Sequence, residues 1–121
     1  MSASQRFTGS LLLLASLPTG NLVAGTIFEF TGARPRRISI WGVQDGAAAA
    51  TPLVMSVTSG TNVQVESNTP VQTFTAQQGP FRDQHGIVTF ISAPGDRLVI
   101  PLRNTDPANT SNFRFLIEYT E

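Results

Sequence analysis

The chain contains no cysteine and no lysine, one tryptophan, one tyrosine, one histidine, and few charges of either sign. Without cysteine there is no disulfide framework and no thiolate metal site. Charged residues occupy 13% of the 121 positions, about half the roughly 25% of an average soluble domain. Eight arginines balance eight acids, so the formal net charge is zero. This excludes a strongly basic nucleic-acid binder and an acidic tail. It also excludes an intrinsically disordered chain, which combines excess charge with few apolar residues. No apolar run approaches the 18 or more residues of a membrane-spanning helix. No internal repeat, low-complexity tract or linker divides the chain, and its length suits one domain.

What is present is a neutral, hydroxyl- and amide-rich sequence. Thr, Ser, Asn and Gln fill 37 of 121 positions, and hydrophobic residues make up 40%. A small soluble domain ordinarily covers a quarter to a third of its surface with charge and keeps its net charge away from zero. A neutral surface packs against copies of itself at little electrostatic cost. The low charge therefore points to a subunit of an assembly. The plainer alternative is a monomeric β-sandwich with a hydroxyl-rich surface. Arginine without lysine fits flat, bidentate interface contacts, or codon bias.

The hydrophobic period is two, not 3.6. Phe28 and Phe30 alternate in Thr26–Thr31, and Ile38 and Ile40 in Arg37–Val43. The same alternation runs through Leu53, Met55 and Val57, through Leu98, Ile100 and Leu102, and through Phe113, Phe115, Ile117 and Tyr119. Val63–Val65, Val71–Ala76, Ile87–Ile91 and Arg6–Leu17 complete the set of expected strands. Gly, Pro, Asn and Asp clusters stand between them as turn signals. Ser59–Asn62 is short enough for a hairpin, and Pro101 inside a strand pattern marks an edge or a bulge. The expectation is an all-β fold, an eight- to nine-stranded antiparallel β-sandwich, jelly-roll-like, with longer crossings at Gln44–Pro52 and Gln77–Gly86. An immunoglobulin-like sandwich lacks its Cys and Trp hallmark here. Residues 1–21 are expected to form an N-terminal arm or first strand, and 22–121 the single sandwich domain. Arg6 followed by Leu11–Leu17 has the outline of a short secretory signal, but the stretch is expected to belong to the fold or to dock on a neighbour.

An apolar N-terminal segment, eight strands in order and a last strand NFRFLIEYT over Asn112–Thr120 accompany the neutral composition. Together they resemble the compact single-jelly-roll structural proteins of viruses and bacteriophages: capsid, penton and capsid-decorating proteins. The stretch TAQQGPFRDQHGIVTFISAPGDRLVIP over Thr75–Pro101 carries most of the likeness, which spans roughly residues 22–121 at the level of pattern. It implies a non-enzymatic structural subunit of a virion, assembled in the host cytoplasm. Its partners would be copies of itself or other capsid proteins. It implies no cofactor, no metal, no small-molecule substrate and no membrane. Coat proteins that package single-stranded genomes often carry a basic arm, whereas residues 1–21 hold only Arg6. Nucleic acid is thus not expected as the main partner. The alternative function is a carbohydrate- or receptor-binding β-sandwich module, which would need an exposed aromatic around Trp41.

Candidate contact residues follow. Leu11, Leu12, Leu13 and Leu14 point to both faces of a strand, so a cover is expected on each face, one of them from a neighbouring subunit or an overlying loop. Arg34, Arg36 and Arg37 put three arginines in four positions, a fork for a neighbour's carboxylates or a phosphate, or else a solvated turn. Trp41 is either exposed or packed in an interface. Asp83 and His85 hold the raw material of a general base, but no nucleophile motif accompanies them, so a loop histidine without chemical role is expected. Asn104, Asp106, Asn109 and Asn112 cluster oxygen atoms of the kind calcium takes, with a single carboxylate and no ligand spacing, which reads as a polar loop. The sequon at Asn109-Thr110-Ser111 is too short to carry weight.

Overall fold

The computed structural model describes residues 4–13, 20–46, 53–71, 80, 82, 84–105 and 111–120. Those residues hold no helix and eight strands: β1 (Ser4–Leu13), β2 (Arg36–Gly46), β3 (Leu53–Ser59), β4 (Asn62–Pro70), β5 (Gly86–Ser92), β6 (Leu98–Val99), β7 (Leu102–Asn104) and β8 (Ser111–Thr120). All pairings are antiparallel. Sheet A has the order β1-β8-β2-β5; sheet B has the order β4-β3-β6, with β7 also on β3.

The segment 20–31 supplies the missing edge of sheet B. Its Phe30 bridges Arg97, Leu22 N donates to Ile100 O (3.0 Å), and Leu98 N donates to Glu29 O (2.7 Å). The chain therefore visits sheet A, sheet B, A, B twice, A, B and A. The last strand, β8, inserts between the first two strands of sheet A. That path is a jelly roll of two antiparallel sheets.

Residues 26–31 were expected as a strand, and they are mostly turn with one isolated bridge. The reason is local. Asn21 Oδ1 accepts from Val23 N and from Ile100 N. Thr26 Oγ1 donates to Val23 O while Thr26 N donates to the same carbonyl. Side chains that bond nearby backbone groups compete with a ladder. The alternation survives nonetheless: Phe28 is 3% exposed and Phe30 is 57% exposed.

The core lies between the sheets. Sheet A contributes Ile38, Ile40, Phe90, Phe113, Phe115, Ile117 and Tyr119; sheet B contributes Leu53, Met55, Val57, Leu98 and Leu102. On β2 the in-phase position after Ile40 is Gly42. A Cβ there would stand 2.7 Å from the Phe113 ring, so only glycine leaves the ring room. The next in-phase residue is Gln44, fully buried. Its amide nitrogen donates to Leu53 O and Val71 O, and its Oε1 accepts from Leu53 N at 2.9 Å. One side chain thus satisfies backbone groups of sheet B from sheet A. Gly60, at φ 60°, closes the two-residue turn of the β3–β4 hairpin. Pro101 falls between β6 and β7, where its lack of an N–H interrupts the ladder. Its carbonyl still accepts from Ser56 N at 3.3 Å.

Candidate assembly surfaces

Strand alternation sends Arg36 and Arg37 to opposite faces of β2. Arg36 lies at the end of the sandwich. Its Nη1 donates to Ile27 O (2.9 Å) and Phe30 O (3.2 Å), and its guanidinium sits 4.0 Å from the Tyr119 ring centroid. It pins the segment 20–31 to sheet A. Arg34 is exposed in the preceding bend, and Arg37 is exposed on the outer face beside Ile91 and Thr120. The three arginines close in sequence are therefore not one fork in space.

The outer face of sheet A is used by the chain itself. Trp41 Nε1 donates to Arg82 O at 3.0 Å, and the Arg82 guanidinium lies over the indole at 5.1 Å. Arg82 also forms a two-pronged ion pair with Glu118, Nη1 to Oε1 at 2.6 Å and Nη2 to Oε2 at 2.5 Å. Arg6 Nε joins from β1 at 2.8 Å. The hydrogen bonds from Arg82, then its charge, and more weakly those from Arg6, hold the Glu118 carboxyl below the usual carboxylate range against the opposing effect of burial. Gly42 N donates to His85 O at 3.1 Å. Arg82 thus covers Trp41 and Glu118 on this face. On the same face Val43 is fully buried and Leu116 is 8% exposed although both point away from the core. Trp41, half-buried, with its N–H used and a guanidinium over one ring face, is not a bare sugar platform.

His85 is buried, which its sequence context did not reveal; Asp83 lies outside the described residues. Asn104 is buried on β7 and Asn112 is half-buried on β8, while Asp106 and Asn109 lie outside the described residues. Among the described residues no cluster of three or more His, Asp or Glu could hold a metal ion. Glu29 is bonded by Gly25 N and Arg97 Nε, both at 2.9 Å. The amide first and the guanidinium second keep its carboxyl below the usual range.

The outer face of sheet B is different. Cross-strand rows place Val99, Thr58 and Val63 side by side, and Arg103, Val54 and Pro70. Phe30 and Arg97 form the row beyond. Val63 is 62% and Phe30 is 57% exposed. Two further apolar residues stand out on the molecule, Ile27 and Ile91.

The leucine run begins as expected on a strand. Leu11 is half-buried against the core, and Leu12 and Leu13 continue β1 in register with Asn112 and Ser111. The side chains of Leu12 and Leu13, and all of Leu14, lie outside the described residues. β1 is an outermost strand of sheet A, paired on one side only among the described residues. A shallow open groove of about 420 Å³ runs along it, lined by Thr8, Ser10, Arg114, Leu116 and Pro80.

Fold and surfaces define a single jelly-roll β-sandwich with exposed apolar residues on both outer faces, Ile91 on sheet A and Phe30 and Val63 on sheet B. No protein-family model matches the chain, and no curated protein or solved structure matches it.

Proposed function

We propose that the protein is a non-enzymatic structural subunit of a virus or phage particle: a shell, vertex or capsid-decorating protein assembled in the host cytoplasm and resident in the virion. Its partners are copies of itself and other capsid proteins. The observation that carries this reading is the outer face of sheet B. It exposes Phe30 and Val63, with Val99 and Thr58 between them across the sheet, on a chain with zero net charge. Apolar surface rimmed by polar residues is how a contact face differs from an ordinary wet one. Burial of that surface between copies is the mechanism, and no charge repulsion opposes it.

The test is the mass of the purified full chain in solution, by light scattering after size exclusion across a concentration series. The wild type forms oligomers or particles, and Phe30→Glu with Val63→Glu shifts the distribution toward the 13.0 kDa chain. A wild type that stays at chain mass throughout overturns self-assembly.

A further inference from the structure

The four lateral edges of a two-sheet sandwich are its points of risk, because each offers unpaired N–H and C=O groups to any passing strand. Three of the four are blunted here. On β5 the ladder to β2 slips at Ile40/Trp41, where Ile87 is the extra residue. On β4 the register slips twice and the strand ends at Pro70. The remaining edge of sheet B is the turn-rich segment 20–31, with one isolated bridge. Bulges, proline and irregular backbone each prevent clean pairing.

β1 carries none of these devices. It runs ten residues, SQRFTGSLLL, without proline or lysine, and its register with β8 is unbroken from Ser4↔Thr120 to Leu13↔Ser111. At about 3.3 Å per residue the edge left unpaired among the described residues is roughly 33 Å long. Its one charge, Arg6, pairs with Glu118, which Arg82 also engages, and it stands near the N-terminal end of the strand, away from the middle of the edge. Phe7 and Leu11 on the core-facing side are only half-buried. Phe7 packs on Phe28 and Phe115, with centroids 5.9 and 5.0 Å away, and a strand laid alongside would cover its open rim.

We propose that the β1 edge pairs antiparallel with the β1 edge of a second copy, joining two sheets A into one continuous sheet across a twofold axis. This rests on the assembly reading above and adds a second contact to the sheet B face, with a second copy as its partner. An antiparallel strand is complementary to itself, so one contact closes both free edges at once. Pairing β1 instead with β5 or β4 of another copy would meet a bulged edge and would leave a new edge open.

The test compares wild type with Thr8→Lys/Ser10→Lys, both exposed positions on the outer side of β1. Around a twofold axis the added charges meet their own copies. Far-ultraviolet circular dichroism and the thermal midpoint report whether the fold is kept. The expected result is a tenfold or greater rise in the dissociation constant measured by sedimentation. A wild type that associates while the double variant associates equally overturns the edge contact and leaves the assembly reading standing. A wild type that never associates overturns both.

Should the double variant unfold, the cysteine-free chain offers a second measurement. Single cysteines at Gln5, Thr8 or Ser10 are treated with a bismaleimide of roughly 13 Å, the rise of four strand residues. At least one of them is expected to link two copies, and Ala93→Cys, in an exposed turn that belongs to neither contact, is not. Failure to link through any of the three β1 positions overturns the proposal.

Discussion

The outer faces of the two sheets draw on one composition and reach opposite ends. On sheet A, Trp41, Arg82, Glu118 and Arg6 are spent on one another, and Val43 is sealed although it points away from the core. On sheet B, Val63 and Phe30 stand in solvent with Thr58 and Val99 between them in the ladder. A chain with 13% charged residues has few ion pairs to place. Two arginines, Arg6 and Arg82, converge on Glu118 of sheet A, and a third, Arg97, closes the rim at Glu29. The self-covered face contributes to the stability of one copy. The exposed apolar residues, Phe30 and Val63 on sheet B and Ile91 on sheet A, contribute only when another surface meets them. Measurements on single variants separate these roles.

The largest effect is expected where the faces share a support. Gln44→Ala takes the amide partner from Val71 O and from Leu53 N, while Leu53 O keeps its bond from Val71 N. At roughly 1–3 kcal/mol per unsatisfied group, a loss of about 4 kcal/mol is expected in urea unfolding. A loss below about 1 kcal/mol would mean that water replaces the amide.

Trp41→Ala comes next. It removes a half-buried ring, its hydrogen bond to Arg82 O and the stacked guanidinium. About 3 kcal/mol is expected, the low end for an aromatic truncation. The matching change on sheet B, Val63→Ala, is expected to stay within about 0.5 kcal/mol. Equal costs at the two positions would erase the distinction between the faces.

Glu118→Gln is expected to cost about 1 kcal/mol, because both arginines reach out into solvent and exposed pairs are weak. Acid sharpens the same point. The folded carboxyls of Glu118 and Glu29 lie below the ordinary value of 4.5. The native state therefore binds fewer protons than the unfolded chain as pH falls, so their contribution is complete above 4.5 and is lost on descent through the folded values. A flat thermal midpoint down to about pH 5, declining below it, is expected, and Glu118→Gln is expected to lessen the decline. An undiminished decline in that variant would assign the acid sensitivity elsewhere.

The smallest effect on a single copy is expected from Val63→Glu, within about 0.5 kcal/mol by chemical unfolding, while its self-association by sedimentation falls. Unchanged association would remove the sheet B face from the contact.

Period-two alternation made β2, β3 and β8 readable, down to the inward placing of Phe113 and Tyr119, because alternation is a property of the strand alone. The all-β sandwich class was readable for the same reason, and the jelly-roll path from the strand number and the longer crossings at Gln44–Pro52 and Gln77–Gly86. Partnerships were not. Glu118 meets Arg82 across 36 residues and Arg6 across 112, and nothing local marks either. Arg34, Arg36 and Arg37 looked like one cluster, yet β2 turns Arg36 to the Tyr119 ring and Arg37 away. Gln44 did leave a signal: it lies in phase with Ile38 and Ile40, where a polar residue must find buried partners. Residues 26–31 misled because Asn21 and Thr26 recruit the backbone into turns that the hydrophobic pattern does not record.

The place of β8 bears on how the chain is made. β1 leaves the ribosome early, but its neighbour in sheet A follows only after residue 110. At 5–20 residues per second the delay is roughly 5–20 s. During that time β1 and β2 are emerged strands with no β8 between them, and the edge that faces outward in the finished molecule has a second open side. Sheet A is therefore completed only once β8 has been made, after all its other strands. Pairings of such sequence separation also close slowly. A nascent chain stalled before residue 111 is expected to be open to protease in β1, and one released beyond residue 120 to be closed.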